Sequence, residues 1–439
     1  MSPKKKALLF FQFYTELHCI AAELVDRCDY TVITDRKIGL PVSDKSRHQI
    51  VDELLPYSEI RERTEAEVRA KIPALSDFLM ENLQELPFGT HHPDETREVV
   101  EKFLGRSVAD YYCFSTVFSK LSELYDIGCV VLAPPDLSSH RGAISAAKQR
   151  AIPTIGIQHG AIFTNDLRAP QACDIVLVAD KVGQKILDYS RVAPTLCIPT
   201  GMPYARVKST VEEGEDDRAK VAARRQLDIA EGAEVILLTL SYVSANLELK
   251  TSGHFKTLEL LCELIKMAAK RRRLGRDTII IVKPPRVQTY RMQERAIESI
   301  AEELGFEGLK VVDGSFHTLM EASDVVIPGL HDSSVFLDAF AAFRSPIRMR
   351  QFAELSNPPA ETFIAEHCKT VDSYGELEGE ICALLDDPKL GLERRRRALA
   401  AMKELRPHGA EEGRDAICSL ILDAATEGVE YVREKYGKF

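Results

Sequence analysis

The segment IPTIGIQHG at residues 152–160 decides the fold class. Its first six residues are mainly apolar, and the polar side chains of Gln158 and His159 follow before Gly160 allows a sharp change of direction. A short apolar run with such an end is typical of a buried strand in a parallel sheet. Because the carboxyl ends of parallel strands face the ligand crevice, Gln158, His159 and Gly160 are predicted to line that crevice.

Strands and helices alternate on both sides of this segment. The predicted strands cover residues 7–13, 30–34, 129–133, 152–157, 175–178, 235–240, 278–282, 310–312 and 325–327. Helical patterns separate most of them, and such repetition implies right-handed crossovers and mainly parallel sheets. The predicted fold class is therefore α/β.

An acidic segment divides the chain into two similar halves. Residues 209–218 are rich in Glu and Asp and poor in apolar side chains, which is typical of a solvated linker. We predict a first domain at 1–208 with a helical insertion at about 44–120, and a second domain at 219–385. Residues 386–439 are predicted to form a helical tail that packs back across the domains. A cleft between the halves is the expected ligand site.

The composition restricts the partners of the chain. Its 439 residues suit two or three domains, and 57 basic against 67 acidic side chains give a net charge of −10. Such a charge provides no overall field that attracts nucleic acid, so no nucleic-acid partner is expected. Any bound anion must therefore be held by a few local groups.

The cysteines and the hydropathy pattern indicate a cytoplasmic protein. Ten cysteines are scattered without a C-x-x-C pair, which favours free thiols over a zinc site or a disulfide framework. No metal is predicted. The sequence contains no apolar stretch of about 18 residues and no evident export signal. The basic runs at 270–273 and 394–397 are either solvated helix faces or contacts with the anionic inner leaflet of a membrane.

The second half places polar and basic residues directly after its predicted strands. Ser241 follows the strand at 235–240, where a hydroxyl can bind phosphate together with backbone N–H groups. Two prolines rigidify the turn after the strand at 278–282, and Lys283 and Arg286 flank them. Cations on a rigid turn suit a monophosphate or diphosphate, because charge-assisted hydrogen bonds are strong.

A predicted helix start after the strand at 325–327 adds another anion-binding feature. Asp332, Ser333 or Ser334 can cap this helix, whose first N–H groups and dipole attract a phosphate. Asp338 lies about one turn further along, where a carboxylate can accept hydrogen bonds from a ribose diol.

Each candidate also has a purely structural interpretation. His159 is either an acid, a base or a phosphate donor in the cleft, or the partner of a buried loop carbonyl. Ser241 and the 332–334 segment are either phosphate ligands or helix caps, and the cationic turn is either a ligand or a solvated loop. Glu16, in the loop expected after the first strand, is either a second candidate base or a helix-surface residue.

The order of these motifs resembles GT-B-fold nucleotide-sugar transferases, especially bacterial enzymes that make capsule and other surface polysaccharides. The similarity rests on the IPT-x-x-x-QHG strand end at 152–160, CD-x-x-x-VADK at 173–181 and TG-x-P at 200–203. In the second half it rests on ASDVVI at 322–327, followed by DSS at 332–334 and Asp338-Ala339. It covers residues 125–350 well and the first hundred residues poorly.

The resemblance implies two Rossmann-like domains that face a central cleft, with the donor nucleotide on the second half and the acceptor on the first. It implies that Ser333 and Ser334 hold phosphate and that Asp338 binds ribose. His159 or Glu16 is then the candidate base. The implied reaction is a metal-independent transfer of sugar from a nucleotide sugar to a surface-polysaccharide, glycan or lipid-linked acceptor, with no further cofactor.

Two other functions fit the same resemblance. A nucleotide-sugar 2-epimerase or a polyol-phosphate transferase of the teichoic-acid type would keep the fold and change the reaction. A non-catalytic assembly partner would keep nucleotide binding without turnover.

Overall fold

The computed structural model describes residues 3–11, 18–35, 44–83, 93–133, 138–157, 172–178, 181–189, 196–201, 215–240, 251–284, 291–328, 334–344, 346–350, 358–405 and 410–437. The strands are β1 (Lys5–Phe11), β2 (Thr31–Thr34), β3 (His48–Ile50), β4 (Tyr125–Leu132), β5 (Thr154–Ile157), β6 (Ile175–Val178), β7 (Leu196–Pro199), β8 (Glu234–Thr239), β9 (Thr278–Lys283), β10 (Leu309–Val311), β11 (Val325–Ile327), β12 (Ile347–Met349) and β13 (Lys369–Val371). The helices are α1 (His18–Arg27), α2 (Val51–Leu54), α3 (Tyr57–Arg69), α4 (Ile72–Leu83), α5 (Pro93–Leu124), α6 (Ser138–Lys148), α7 (Lys181–Tyr189), α8 (Glu215–Gln226), α9 (Thr251–Arg273), α10 (Arg291–Glu303), α11 (Phe316–Ala322), α12 (Ser334–Ala341), α13 (Pro358–His367), α14 (Tyr374–Asp386), α15 (Pro388–Leu405), α16 (Ala410–Glu427) and α17 (Val429–Tyr436).

The first sheet contains seven parallel strands in the order β3-β2-β1-β4-β5-β6-β7. The chain moves from β1 outward to β3 and then returns to β4 on the other side of β1. The strand order therefore reverses between β1 and β4, which is the topological switch point of a doubly wound sheet.

The second sheet repeats this plan with four parallel strands in the order β10-β9-β8-β11. A parallel bridge between Val326 and Pro346 continues it toward the β12–β13 pair. Its switch point lies between β8 and β11. The predicted α/β fold with two mainly parallel sheets is confirmed.

Both faces of the first sheet are buried around its central strands, which explains why residues 7–11, 129–132 and 175–178 are apolar. In β1, Leu8 and Phe10 point into the cluster that contains α1, while Leu9 and Phe11 point to the opposite cluster with α5 and α6. Successive strand residues alternate between the two faces. A strand that is covered on both sides must therefore be apolar at every position.

The C-terminal helices are divided between the two halves. Helix α15 contacts α12, α13 and α14 of the second half, whereas α16 contacts β4 and α1 of the first. Ile417, Leu420 and Ile421 of α16 and Val432 of α17 are fully buried in the first-sheet core. Helices α13 and α15 also contact α7, so the last part of the chain connects both halves.

A buried ion-pair network fastens the second sheet to its helices. The Arg271 guanidinium at the end of α9 donates to Glu234 at 2.6 and 2.8 Å and to Asp386 at 2.7 and 3.1 Å. Burial raises the pKa of Glu234, but hydrogen bonds from Arg271 and Thr278 outweigh this effect and hold that pKa below its usual range. The network therefore joins β8, α9 and α14 through ionised groups.

Several boundaries differ from the sequence predictions. Helix α8 begins at Glu215, so residues 215–218 of the predicted linker are helical. Negative side chains in a first turn are favourable, because they face the positive end of the helix dipole. The sequence patterns did not reveal β3, β7, β12 and β13, which have only three or four residues each.

Helix α4 lies within the predicted helical insertion, and its Leu75 and Phe78 are 36% and 61% exposed. All ten cysteines are free thiols, as predicted. Among the described helices, none is both long and apolar enough to cross a membrane.

Candidate functional site

The carboxyl ends of the second-sheet strands lie at one level. Thr239 at the end of β8 is in register with Lys283 at the end of β9, and the Leu240 N–H donates to the Lys283 carbonyl at 3.0 Å. On the other side of β8, Leu238 is in register with Ile327 of β11. The segments that carry the predicted phosphate ligands after β8, β9 and β11 therefore leave the same edge of this sheet, which we call the donor edge.

The switch point of the second sheet falls between two of these segments. Residue 241 follows β8, and residues 329–333 lead from β11 to α12, which begins at Ser334. The crevice beyond such a switch point is the usual ligand position in doubly wound sheets. A helix that begins there directs its unpaired N–H groups toward the crevice, where they favour an anion.

Among the predicted site residues, Lys283 has a buried side chain with defined hydrogen-bond partners. It ends β9 with only 6% of its surface exposed. Its Nζ donates to Asp313 Oδ1 at 3.0 Å and to the Pro284 carbonyl at 3.0 Å. An ammonium has three N–H donors, and these contacts use two of them. The structure thus fixes a buried cation at the donor edge.

Asp313 is a site residue that the sequence reasoning missed. It follows β10, the strand beside β9, and 67% of its side chain is exposed. The sequence does contain a signal for it. Like Lys283, Asp313 is a charged residue that comes at the end of a predicted strand, and Gly314 follows it. A solvated carboxylate beside a buried ammonium balances its charge and leaves room for a second anion to compete for the cation.

The candidate bases come from two strands of the first sheet. Glu16 follows β1, and His159 follows β5 by two residues. One strand, β4, separates β1 from β5, and strands are about 4.8 Å apart, so the two strand ends lie roughly 10 Å from each other. Phe11 and Ile157, the last residues of β1 and β5, therefore lie at the same edge of the sheet, near the switch point between β1 and β4.

The tail helix α16 reaches this same edge of the first sheet. A Cβ added to Gly413 would lie 2.8 Å from the Thr200 carbonyl oxygen, closer than such contacts normally occur. Thr200 is buried just after β7, and Gly201 has a φ of +84°, which L side chains rarely adopt. Glycine at 201 and 413 therefore permits the close approach of α16 to the end of β7.

Most of the predicted site lies outside the described residues. This applies to Glu16, Gln158, His159, Gly160, Ser241, Arg286, Asp332 and Ser333. Ser334 and Asp338 are placed as the first and fifth residues of α12. Their roles stay predictions. Within the described ranges, no group of three or more His, Cys, Asp or Glu side chains could hold a metal ion.

Solved structures with the same architecture cover almost the whole chain. HepE from Anabaena, in complex with UDP and glucose, has a TM-score of 0.54 at 12% identity, over 95% of this chain and 100% of its own. A UDP-forming α,α-trehalose-phosphate synthase from Burkholderia vietnamiensis has a TM-score of 0.54 at 13% identity, over 96% and 99%. UDP-GlcNAc 2-epimerase from Neisseria meningitidis, bound to UDP-GlcNAc, has a TM-score of 0.53 at 14% identity, over 95% and 100%.

These similarities establish the GT-B fold for this chain, with two Rossmann-like halves and a helical C-terminal region. No protein-family model and no curated protein sequence matches it.

Proposed function

We propose that this protein is a GT-B glycosyltransferase that moves a sugar from a nucleotide-sugar donor to a glycan or lipid-linked acceptor. The observation that carries the proposal is the donor edge, where the buried Lys283 ammonium ends β9, the strand next to β8, and the switch point lies on the other side of β8. The neighbours that were solved with UDP or a UDP-sugar have the same fold and support this choice of donor class.

In the proposed reaction, the donor phosphates bind at the start of α12, with Ser241, Arg286, Ser333 and Ser334 as further ligands. Asp338 binds the ribose. Lys283 neutralises the charge that develops on the departing diphosphate as its bond to the anomeric carbon breaks.

A base in the first half, His159 or Glu16, accepts the proton of the acceptor hydroxyl while its oxygen bonds to that anomeric carbon. Gln158, Gly160 and Asp332 line the cleft. The step is proposed to proceed without a metal ion.

The Lys283–Asp313 pair provides a specific test. The Lys283 ammonium donates a hydrogen bond to Asp313, so a donor phosphate has to replace or share this partner. Lys283→Ala should weaken donor binding about thirtyfold, because it removes one charge-assisted hydrogen bond. Lys310→Ala is the matched control, since that ammonium bonds the Leu227 and Asp228 carbonyls instead.

The decisive experiment is a panel of UDP-, CMP-, GDP- and CDP-linked sugars, assayed for binding and for turnover with glycan acceptors. Absence of both binding and turnover with every donor would rule out the proposal. An equal loss of donor binding in Lys283→Ala and Lys310→Ala would show that Lys283 acts only in folding.

A nucleotide-sugar 2-epimerase is the second candidate, favoured by the similarity to the Neisseria meningitidis enzyme. Incubation with the donor alone separates the two reactions. An epimerase converts the donor without an acceptor, whereas a transferase requires one.

We place the reaction in the cytoplasm, as part of capsule or surface-polysaccharide synthesis. Membrane docking through the two basic runs is not part of this proposal. Arg271 and Arg394 are buried in ion pairs with Glu234 and Glu380, and Lys270 pairs with Glu378. These cations already have partners within the protein.

A further inference from the structure

A cavity of about 710 Å³ opens at the edge of the second sheet opposite the donor edge. It is bordered by Glu234 and Asp277 at the amino ends of β8 and β9, and by Asp324 just before β11. Helix α15 closes one side with Arg394 and Arg395. Its volume falls within the range of about 300–1,000 Å³ that is typical of small-molecule sites.

The charge around this cavity is positive, in contrast to the chain as a whole. Its basic lining residues are Lys220, Arg224, Arg276, Arg344, Arg394 and Arg395, and its acidic ones are Glu231, Glu234, Asp277 and Asp324. Six cations thus face four carboxylates. The described ion-pair partners of the lining add three cations, Arg225, Arg271 and Arg272, and two carboxylates, Glu380 and Asp386. Among the described residues, nine cations therefore surround the cavity with six carboxylates, in a protein with a net charge of −10.

Two of the lining guanidinium groups are oriented by backbone carbonyls. Arg224 donates to the Ala322 carbonyl at 3.0 Å, and Arg344 donates to the Ser323 carbonyl at 2.7 Å. Both side chains are 3% exposed. Carbonyl oxygens orient a guanidinium but do not cancel its charge. Arg224 also forms an ion pair with Asp324, so the positive potential at this wall comes from the excess of cations over carboxylates among the described lining residues.

A single carboxylate serves two cations at the centre of this wall. Asp324 accepts from Lys220, from Arg224 at 2.7 Å and from the Val235 N–H at 2.7 Å. Arg276 lies 3.9 Å from Glu234 and 3.7 Å from Asp386, which is longer than a hydrogen bond, and its side chain is 58% exposed. Arg276 is therefore placed to contact a ligand from the solvent side.

We propose that this cavity is a second anion site, which binds a small polyanion of the diphosphate class. Phosphate oxygens would accept from Arg276 and Lys220 at the mouth, while the excess of cations in the described lining supplies a positive potential behind them. The site lies at the amino ends of the strands and is distinct from the donor edge. It does not depend on the proposed sugar transfer.

Titration calorimetry of the full-length protein with inorganic pyrophosphate tests this site. Arg276→Glu should weaken binding by about tenfold or more, because it replaces a donor with a like charge to the ligand. Arg273→Glu is the control, because it changes the net charge by the same amount. Arg273 is exposed, lies three residues before Arg276 and does not line the cavity. It should change affinity less than about twofold, the residual effect of a distant screened charge.

Two further variants distinguish pyrophosphate binding in the cavity from pyrophosphate binding at the donor edge. Lys283→Ala should leave cavity binding intact, and Arg276→Gln should weaken it without adding a negative charge. The proposal is overturned if the wild type does not bind pyrophosphate, if Arg276→Glu and Arg273→Glu weaken it equally, or if Lys283→Ala abolishes all binding. Each outcome is independent of whether any sugar is transferred.

Discussion

The two sheets follow the same topological plan but complete their cores in different ways. The second sheet is covered by helices that connect its own strands, together with α14, which lies next to it in the sequence. The first sheet is covered on one face by α1 together with α16 and α17, which follow it by more than two hundred residues. The first half therefore acquires its complete core only after the whole chain has been made.

This difference predicts that the largest loss of stability comes from deleting α16 and α17 by placing a stop codon after Leu405. Removal of a single buried Leu or Ile side chain costs about 2–5 kcal/mol, and α16 contributes several. The loss should therefore approach or exceed the whole stability of a domain, about 5–15 kcal/mol. Hydrogen exchange should show first-half amides losing protection while those of β8–β11 keep it. Unchanged protection in β1 and β4 would contradict this interpretation of the core.

The next largest effect is expected in the second half, from Arg271→Ala. This substitution leaves Glu234 buried without its guanidinium and should lower the free energy of unfolding by about 3–5 kcal/mol at neutral pH. Urea unfolding measures it. Arg273→Ala, at an exposed position of the same helix end, should stay within about 0.5 kcal/mol.

The pH dependence of this variant has a definite sign. Since the pKa of Glu234 is depressed in the folded wild type, its contribution is present above the unfolded pKa, near 4.3 for Glu, and is lost as pH falls through the folded pKa. The stability gap between the wild type and Arg271→Ala should therefore narrow below about pH 4.3. Arg271 also lowers the pKa of Asp386 by hydrogen bonding, so Asp386 contributes in the same direction, and a gap that stays constant down to pH 3 would show that neither carboxylate is linked.

Two glycine-to-alanine substitutions, one in each half, are expected to change the free energy of unfolding by smaller amounts and in opposite directions. In the first half, a Cβ on Gly142 of α6 would lie 2.0 Å from the Tyr111 carbonyl oxygen of α5, so Gly142→Ala should cost about 1–3 kcal/mol. In the second half, a Cβ on Gly379 of α14 would have no neighbour within 4 Å. Gly379→Ala should stabilise by up to about 1 kcal/mol, through the higher helix propensity of alanine. Thermal unfolding of both variants measures the two changes in Tm. Shifts of Tm in the same direction would refute the predicted contrast.

The smallest expected effect concerns helix caps within the second half. Ser373 caps α14, and its side chain accepts from the Glu376 N–H at 3.2 Å, so Ser373→Ala should cost about 1 kcal/mol. Ser315 occupies the same position before α11 without a side-chain cap bond. Ser315→Ala should therefore be nearly neutral in the same chemical denaturation assay.

The sequence predicted the doubly wound architecture because buried strands such as β1 and β9 are mainly apolar, a signal that is local. It did not reveal β12 and β13, since three residues carry no measurable periodicity. The distribution of the tail was also inaccessible, because the apolar face of α16 would fit either sheet.

At the candidate site, the sequence identified Lys283 as a cation at a strand end, where the structure places it. Its partner Asp313 lies 30 residues further along the chain. That distance is bridged only by the pairing of β9 with β10, so no local pattern could reveal the ion pair.

The close approach of Gly413 to Thr200 has a consequence for the exchange of parts between GT-B proteins. A chimera that replaces residues 1–208 would leave behind a tail whose apolar face packs on the original first sheet. The first half of this protein consists of two separate chain segments, and recombination would succeed only when residues 410–437 are transplanted with it.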